Sequence, residues 1–216
     1  MFLSPAQADA IAARIAAVEA GTGVQVVVSI VGRAARYPEA RWKAFALGVS
    51  VAALVVGALE LPRADWSTAG AVLGAMVVVM AAGISNALVA TWFDGYAQVF
   101  VRRNRAAVEV RQYAEGLFLA RGLFGTPART AVLIVVSLLE RVVVVHADRG
   151  YSDRITANEW EGVVAPMKVA LRAGDRAGSV EAGLGALQGL LVRSGFAGAG
   201  QTTNAMPDRP LEERGA

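Results

Sequence analysis

The stretch that decides the fold is residues 130–147, TAVLIVVSLLERVVVVHA. Two runs rich in Val, Ile and Leu, Thr130 to Leu138 and Arg141 to Ala147, are separated around Glu140-Arg141, and this spacing predicts an antiparallel β-hairpin. Read continuously, the stretch imitates a membrane span, but its central charges and Pro127 in front of it favour strands. We therefore expect a sheet here, covered by helices from the flanking sequence.

A helix is predicted on each side of this hairpin. Before it, residues from about Gln98 to Gly122 repeat apolar side chains at helical spacing. After it, Thr156 and Glu159 form a capping box ahead of an apolar stripe, which Pro166 is expected to kink. These helices supply the apolar surface that the sheet needs on its faces.

A helix and a strand are also predicted near the start of the chain. Ser4-Pro5-Ala6-Gln7 is a capping box with proline at the first helical position, and Val24 to Val31 is β-branched and almost wholly apolar. One helix and one strand bury too little surface to fold alone. We expect them to complete one α/β domain with the residues beyond 97, so that the intervening sequence is an insertion.

Two long apolar blocks fill that insertion. Ala44 to Leu61 is charged only at Glu60, and Ser67 to Phe93 has no charged residue. A helix of roughly 20 apolar residues crosses the hydrocarbon core of a bilayer, and Trp42 and Trp92 lie where interfacial aromatic residues belong. The blocks predict a transmembrane helical hairpin, and the length of the uncharged run disfavours the alternative of two buried core helices.

The composition agrees with a membrane protein. Hydrophobic residues make up 55% of the 216 residues, charged residues make up 18%, and the mean hydropathy is +0.46. The absence of cysteine excludes disulfide scaffolds, zinc fingers and cysteine nucleophiles. A net charge of +3 is too small for a nucleic-acid-binding surface, so no nucleic-acid partner is expected.

Basic residues flank both apolar blocks and predict the topology. By the positive-inside rule, both termini and the α/β domain are cytoplasmic. The arginines after the second block either meet lipid headgroups or form a solvated helix face. The flanking residues are Arg33, Arg36, Arg41 and Lys43 before the first block, and Arg102, Arg103, Arg105 and Arg111 after the second.

Small and polar residues in the second block are expected to take part in helix packing and hydrogen bonds. Gly70 and Gly74 form a small-xxx-small pair, which either packs the hairpin or joins copies of the chain into a homo-oligomer. Ser85 and Asn86 are expected to hydrogen-bond to the first span or to a helix main chain. A transport site needs more intramembrane polarity than this.

The predicted organisation has four parts. Residues 1–40 are the first part of the α/β domain, 43–93 are the transmembrane hairpin, and 97–196 are the remainder of the domain. Residues 197–216 lack periodicity and are rich in Gly, Thr, Pro and charge, which predicts a disordered tail.

Three segments carry a recognisable pattern: Tyr113-Ala114-Glu115-Gly116-Leu117-Phe118, Arg129-Thr130-Ala131-Val132-Leu133-Ile134, and Ser137-Leu138-Leu139-Glu140-Arg141-Val142 continuing to Asp148-Arg149-Gly150. They resemble the TPM domain family, in particular its bacterial membrane-anchored branch. The resemblance implies an α/β/α sandwich around a small mixed sheet. The family includes a thylakoid protein described as an acid phosphatase, relatives tied to photosystem repair, and members that bind calcium or magnesium through loop aspartates.

The resemblance makes the loop after the second strand of the hairpin a candidate metal-binding site. Its carboxylates are Asp148 and Asp153, which become candidate ligands for calcium or magnesium, with Glu109 or Glu140 as a more distant acid. A hard divalent ion prefers six or more oxygens, and two arginines lie beside the aspartates. The alternative is structural, with Asp148 accepting main-chain N–H bonds in an Asp-Arg-Gly turn.

Two functions are compatible with these sequence features. The first is a non-enzymatic, membrane-tethered TPM-like domain in a bacterial inner membrane, which assists assembly or maintenance of a membrane complex and has the lipid bilayer and a membrane protein as partners. The alternative is a divalent-metal-dependent, phosphatase-like enzyme that uses Asp148 and Asp153. His146, the sole histidine, is expected to be structural, and the sequence has no G-x-S-x-G or Walker motif.

Overall fold

The computed structural model of the chain describes residues 2–60, 68–101, 103–126, 129–196 and 208–215. It divides the chain into two units, one formed by Met1–Ala35 with Asn104–Ala216 and the other by Arg36–Arg103. The second unit is inserted in the first and is wider than the predicted hairpin at 43–93. Residues 61–67, which join the two apolar blocks, and Pro127 lie outside the described residues.

Helices and strands follow one another along the chain. In order they are α1 (Pro5–Thr22), β1 (Val26–Arg33), α2 (Pro38–Glu60), α3 (Ala69–Trp92), α4 (Asp94–Ala97), α5 (Arg103–Ala120), β2 (Val132–Ser137), β3 (Val142–Ala147), α6 (Ala157–Arg172), α7 (Arg176–Arg193) and β4 (Leu211–Gly215). Short 3-10 turns follow α4, α5 and β3.

The first unit is built on a four-stranded sheet in the order β3-β2-β1-β4. β1 is parallel to β2, with Val26 opposite Val132, and it is also parallel to β4. β2 and β3 are antiparallel, with Val132 opposite Ala147. The prediction that residues 130–147 form strands, and not a third membrane span, is therefore confirmed. Because the sheet contains both parallel and antiparallel pairs, it is mixed.

Helices cover both faces of this sheet. Val28 and Ile30 belong to a core shared with α1, α6 and α7, whereas Val27 and Leu133 belong to a second core shared with α5. Because both faces are covered, the strands read as continuous apolar runs rather than alternating ones. The predicted α/β/α sandwich is confirmed.

Local hydrogen bonds begin the helices where the sequence predicts. The Ser4 hydroxyl accepts from the Gln7 N–H at 3.2 Å, and Gln7 Oε1 accepts from the Ser4 N–H at 2.9 Å. The Glu159 carboxylate accepts from the Thr156 N–H at 2.7 Å. Both capping boxes are present, and they satisfy main-chain donors that helix geometry leaves unpaired.

Glu140 ties the β2–β3 turn to the end of β1. Its carboxylate accepts from the main-chain N–H of Ala34 at 3.0 Å and from the hydroxyl of Ser137. The next residue, Arg141, has a φ of 52°, in the left-handed region that a tight turn requires. Glu140 is therefore a structural residue of the turn.

The prediction of a disordered tail is wrong for the last residues of the chain that the structure describes. Leu211–Gly215 forms β4, which pairs with β1 from Ser29 opposite Leu211 to Arg33 opposite Gly215. The segment lacks β-branched residues, so its strand conformation depends on main-chain hydrogen bonds to the edge of β1 rather than on its own propensity. Residues 197–207 of the predicted tail lie outside the described residues.

Two glycines bring α2 and α3 of the second unit into close contact. A Cβ on Gly48 would lie 2.7 Å from a main-chain carbonyl oxygen of α3, and a Cβ on Gly83 would lie 2.6 Å from a methyl carbon of α2. Among the described residues, nothing lies within 4 Å of a Cβ built on Gly74, and one built on Gly70 meets only the nearby Thr68 hydroxyl. The prediction that Gly70 and Gly74 pack the hairpin is therefore wrong, and their role in a homo-oligomer stays a prediction.

Asn86 bonds to the segment that follows α3. The Tyr96 hydroxyl donates to Asn86 Oδ1 at 2.6 Å, and Lys43 Nζ donates to the Phe100 carbonyl oxygen at 3.0 Å. These bonds fold residues 94–100 back onto the helix pair. The predicted hydrogen bond of Asn86 to the first span or to a helix main chain is replaced by this side-chain contact.

Candidate functional site

The inserted unit exposes its apolar side chains. Helices α2 and α3 are long and apolar enough to cross a membrane, yet only 11% and 6% of their most apolar windows are buried. Trp42 and Trp92, at the same end of the helix pair, are 70% and 77% exposed. Core helices of a soluble protein are mostly buried, so this exposure favours membrane spans.

Asp148, the first predicted metal ligand, begins the turn after β3. Its main-chain N–H donates to the Ala131 carbonyl oxygen at 3.0 Å. Its carboxylate Oδ1 accepts from the Arg149 N–H at 2.7 Å. The Asp-Arg-Gly turn therefore uses this aspartate as a cap, because a short acceptor side chain satisfies the donors of a turn.

The other oxygen of Asp148 faces an arginine. Oδ2 lies 3.3 Å from Arg129 Nε, without the geometry of a hydrogen bond, and the Asp148 side chain is only 4% exposed. Arg129 has a φ of 54° and also donates from Nη1 to the Phe124 carbonyl oxygen at 2.9 Å. The buried negative charge is compensated by a guanidinium, which occupies the place where a cation would bind.

Tyr151 closes the same turn from inside the core. Its hydroxyl donates to the Thr130 carbonyl oxygen at 2.6 Å, and the residue is 1% exposed. The ring meets Trp160 edge-on at 5.5 Å and Phe196 at 5.0 Å. Burial, and to a smaller extent the charge of Asp148, raise the pKa of the Tyr151 hydroxyl, which stays a neutral hydrogen-bond donor.

The other candidate ligands lie apart from this turn. Asp153 is exposed, Glu109 pairs with Arg105 at 3.3 Å on α5, and Glu140 serves the β2–β3 turn. In the part of the chain that the structure describes, no three Asp, Glu or His side chains come together as a metal site would require. The convergence of Asp148 and Asp153 with Glu109 or Glu140 that a metal site would need is therefore not found among the described residues.

His146 packs against an aromatic ring. Its imidazole meets Phe118 of α5 in an edge-to-face contact with a centroid distance of 4.7 Å. The histidine is half-buried near the end of β3, one position before its last residue, Ala147. Its place is that of a packing residue between the sheet and α5.

Comparison with known proteins identifies the first unit. Residues 96–190 match the family model described as the TPM domain. The chain carries a TPM domain. It is similar to the NMR structure of the BA42 protein from the psychrophilic bacterium Bizionia argentinensis, with 13% sequence identity, a TM-score of 0.58, and coverage of 98% of this chain and 96% of BA42. At that identity the likeness shows the fold alone. No curated protein matches the chain.

The TPM domain extends beyond the matched residues. β1 lies between β2 and β4 in the sheet, and α1 contributes Ile11 and Ile15 to the core. The early helix and strand are therefore part of the same domain, although residues 36–103 separate them from the rest.

A polar cluster on β4 was not predicted from the sequence. Glu213 accepts from the Tyr113 hydroxyl at 2.7 Å and from Arg121 Nη2 at 3.3 Å, and the neighbouring Glu212 carboxylate accepts from the Phe2 N–H. Burial and the Glu213 carboxylate raise the pKa of Tyr113. Nothing in the pattern of residues 197–216 signals these contacts, because their partners lie about one hundred positions away or more.

Proposed function

We propose that the chain is a membrane-tethered interaction protein of a bacterial inner membrane, whose TPM domain is cytoplasmic and assists assembly or maintenance of a membrane protein complex. The observation that carries the proposal is the exposed apolar helix pair inserted within the TPM domain. A domain whose chain enters and leaves such a hairpin is bound to the bilayer through two covalent connections. Its remaining surface is then available to membrane-bound partners.

The charge distribution supports the cytoplasmic orientation. Arg36, Arg41 and Lys43 lie at the beginning of α2 and near it, and Arg105 and Arg111 lie on α5 after the second span. Lysine and arginine near the ends of spans are retained on the cytoplasmic side. Basic side chains there also attract anionic lipid headgroups.

The turn at Asp148 supports an interaction domain over a phosphatase. Metal-dependent hydrolysis needs carboxylates that are free to bind the ion. Asp148 is engaged by Arg129 and by the Arg149 N–H, and Asp153 has no third acid beside it among the described residues.

The topology is tested by cysteine labelling, because the natural chain contains no cysteine. We would introduce Ala64→Cys between the spans and, separately, Ser152→Cys in the TPM domain. A membrane-impermeant maleimide added to spheroplasts is expected to label position 64, and to label position 152 only after lysis. The opposite labelling would contradict the cytoplasmic orientation.

The complex is tested by cross-linking from the same two positions. A photo-activated reagent attached at position 152 in membranes is expected to capture one discrete membrane protein, identified by mass spectrometry after purification in detergent. The reagent at position 64 is the matched control for abundant neighbours in the bilayer. An identical set of captured proteins from both positions would contradict an interaction function of the TPM domain.

A further inference from the structure

The strand β4 covers the edge of the sheet with few apolar contacts. Leu211 packs against the core that α5 shares, whereas the rest of the strand is Glu-Glu-Arg-Gly. Two ion pairs of this region, Arg121–Glu213 and Arg209–Asp9, both measure 3.3 Å and are exposed. Exposed ion pairs contribute little to stability, so β4 is held at this edge mainly by its main-chain pairing with β1.

The neighbouring strand in the sheet, β1, is held firmly. Val26 to Val31 of β1 is buried at every position, and β1 is also bonded to β2 on its other side. Release of β4 would leave the edge of β1 in place from Ser29 to Arg33, with unpaired main-chain groups. Such an edge recruits another extended chain.

Hydrogen-bond donors around this edge, one from the main chain and two from side chains, bind two consecutive carboxylates. The Phe2 N–H donates to Glu212, while the Tyr113 hydroxyl and Arg121 donate to Glu213. The three donors come from the N-terminal segment and from α5 and the residue that follows it, not from β4 itself. They remain at the edge whichever strand occupies it.

Two glycines add a steric requirement. Gly215 has a φ of 79°, and a Cβ there would lie 1.7 Å from the Arg33 carbonyl oxygen. On the opposite strand, a Cβ on Gly32 would lie 2.9 Å from the Arg214 carbonyl oxygen. The edge therefore accepts an extended segment of the pattern Leu-Glu-Glu-x-Gly, in which the last residue has no side chain.

We propose that this edge of β1 is a docking site for an extended acidic segment of a partner protein, with the pattern Leu-Glu-Glu-x-Gly, and that β4 is the occupant which that segment replaces. The inference rests on the proposed interaction function and names its surface and the chemistry of its partner. β4 competes at the high effective concentration of a tethered segment. A partner held in the same membrane gains a comparable local concentration and replaces β4 by strand addition.

The test uses the full chain in detergent with its own strand displaced by Gly215→Val. A fluorescent peptide of residues 210–216, PLEERGA, is the probe, and binding is read by fluorescence anisotropy. We expect the variant to bind the peptide at least tenfold more tightly than the parent chain, because its own strand no longer competes. A peptide with Val at the glycine position and a peptide with Gln at both Glu positions are matched controls, expected to bind at least tenfold more weakly.

A second variant controls for misfolding of the Gly215→Val chain. Glu213→Lys also displaces β4 by placing a positive charge against Arg121, and it is expected to reproduce the gain in peptide binding. Absence of binding in both variants, or equal binding of the Val control peptide, would overturn the docking site. Capture of a second, differently tagged copy through the same edge would overturn the assignment to a partner protein.

The outcomes separate this inference from the proposed function. Capture of the membrane partner that persists unchanged in an Arg121→Glu chain would overturn the docking edge and leave the interaction function standing. Peptide binding that depends on Arg121, without any partner captured from position 152, would leave the edge standing and reject the interaction function. Loss of both peptide binding and partner capture in Arg121→Glu supports the two together.

Discussion

Glu19, near the end of α1, accepts a hydrogen bond from the main-chain N–H of Val26, the first residue of β1, at 2.7 Å. Its carboxylate also accepts from Gln25 Nε2 at 3.0 Å, and the residue is 9% exposed. Burial is the main cause that raises the pKa of Glu19 to about 7, and the nearby Asp208 carboxylate adds to it. A titratable group therefore connects the first helix, the first strand and the segment that leads into β4.

The stability of the TPM domain is predicted to fall as the pH rises from about 4.5 to about 7. In that window the folded chain keeps a proton on Glu19 that the unfolded chain has lost, so the unfolding free energy declines with pH. With the shift discounted for partial solvation of the site, the loss is on the order of 2 kcal/mol.

Thermal unfolding in detergent at pH 5 and pH 8, read by tryptophan fluorescence, checks this dependence. Glu19→Gln should remove it, since the amide oxygen still accepts from Val26 and carries no charge. Glu181→Gln, on an exposed position of α7, is the matched control and should leave it unchanged. A pH dependence that survives in Glu19→Gln would assign it to another group.

Tyr151→Phe is predicted to destabilise the TPM domain by about 1–3 kcal/mol. The change leaves the buried Thr130 carbonyl oxygen without its donor, and an unsatisfied buried acceptor carries that penalty. Chemical unfolding curves of the two chains measure the difference. Tyr96→Phe, which removes a hydroxyl from the inserted unit, should leave the TPM transition where it is, and equal effects of the two changes would contradict the role of the Tyr151 bond.

Calcium and magnesium are predicted to leave the parent chain unaffected in calorimetric titration. The charge of Asp148 is already compensated by Arg129, so an ion would have to displace a guanidinium. A double variant, Asp148→Asn with Asp153→Asn, serves as the reference. Heat of binding in the parent that disappears in the double variant would revive the phosphatase-like alternative.

Gly83→Leu is predicted to weaken the association of α2 with α3 by about 1–3 kcal/mol, because a side chain there has no room against α2. Unfolding in rising fractions of SDS, followed by circular dichroism, reports the association. Gly74→Leu is the matched control, since a Cβ at that position meets nothing among the described residues. Equal sensitivity of both variants to SDS would show that the helices do not meet at Gly83.

Local patterns were sufficient to predict most elements of the fold. The capping boxes at Ser4 and Thr156 begin helices because their hydrogen bonds join residues three positions apart. The β2–β3 hairpin is likewise a local event, fixed by two apolar runs around Glu140-Arg141. Where neighbours along the chain supply the contacts, the sequence contains the information in readable form.

Contacts between distant residues were the ones that the sequence did not reveal. β4 becomes a strand because β1 offers an open edge, and Asp148 is neutralised by an arginine nineteen positions earlier rather than by its neighbours. The close approach at Gly48 and Gly83 depends on how two helices face each other, which a glycine spacing within one helix does not specify.

The register of β1 also determines the order of events during biosynthesis. Val26 pairs with Val132, so the sheet cannot begin to close until synthesis has advanced from Val26 to Val132, which takes on the order of 5–20 s at about 5–20 residues per second. Throughout that interval the nascent β1 has neither of its neighbouring strands. In the proposed membrane topology, delivery of α2 and α3 to the translocon therefore precedes formation of the domain that surrounds them in sequence, and the ribosome-bound chain must keep one apolar strand shielded until then.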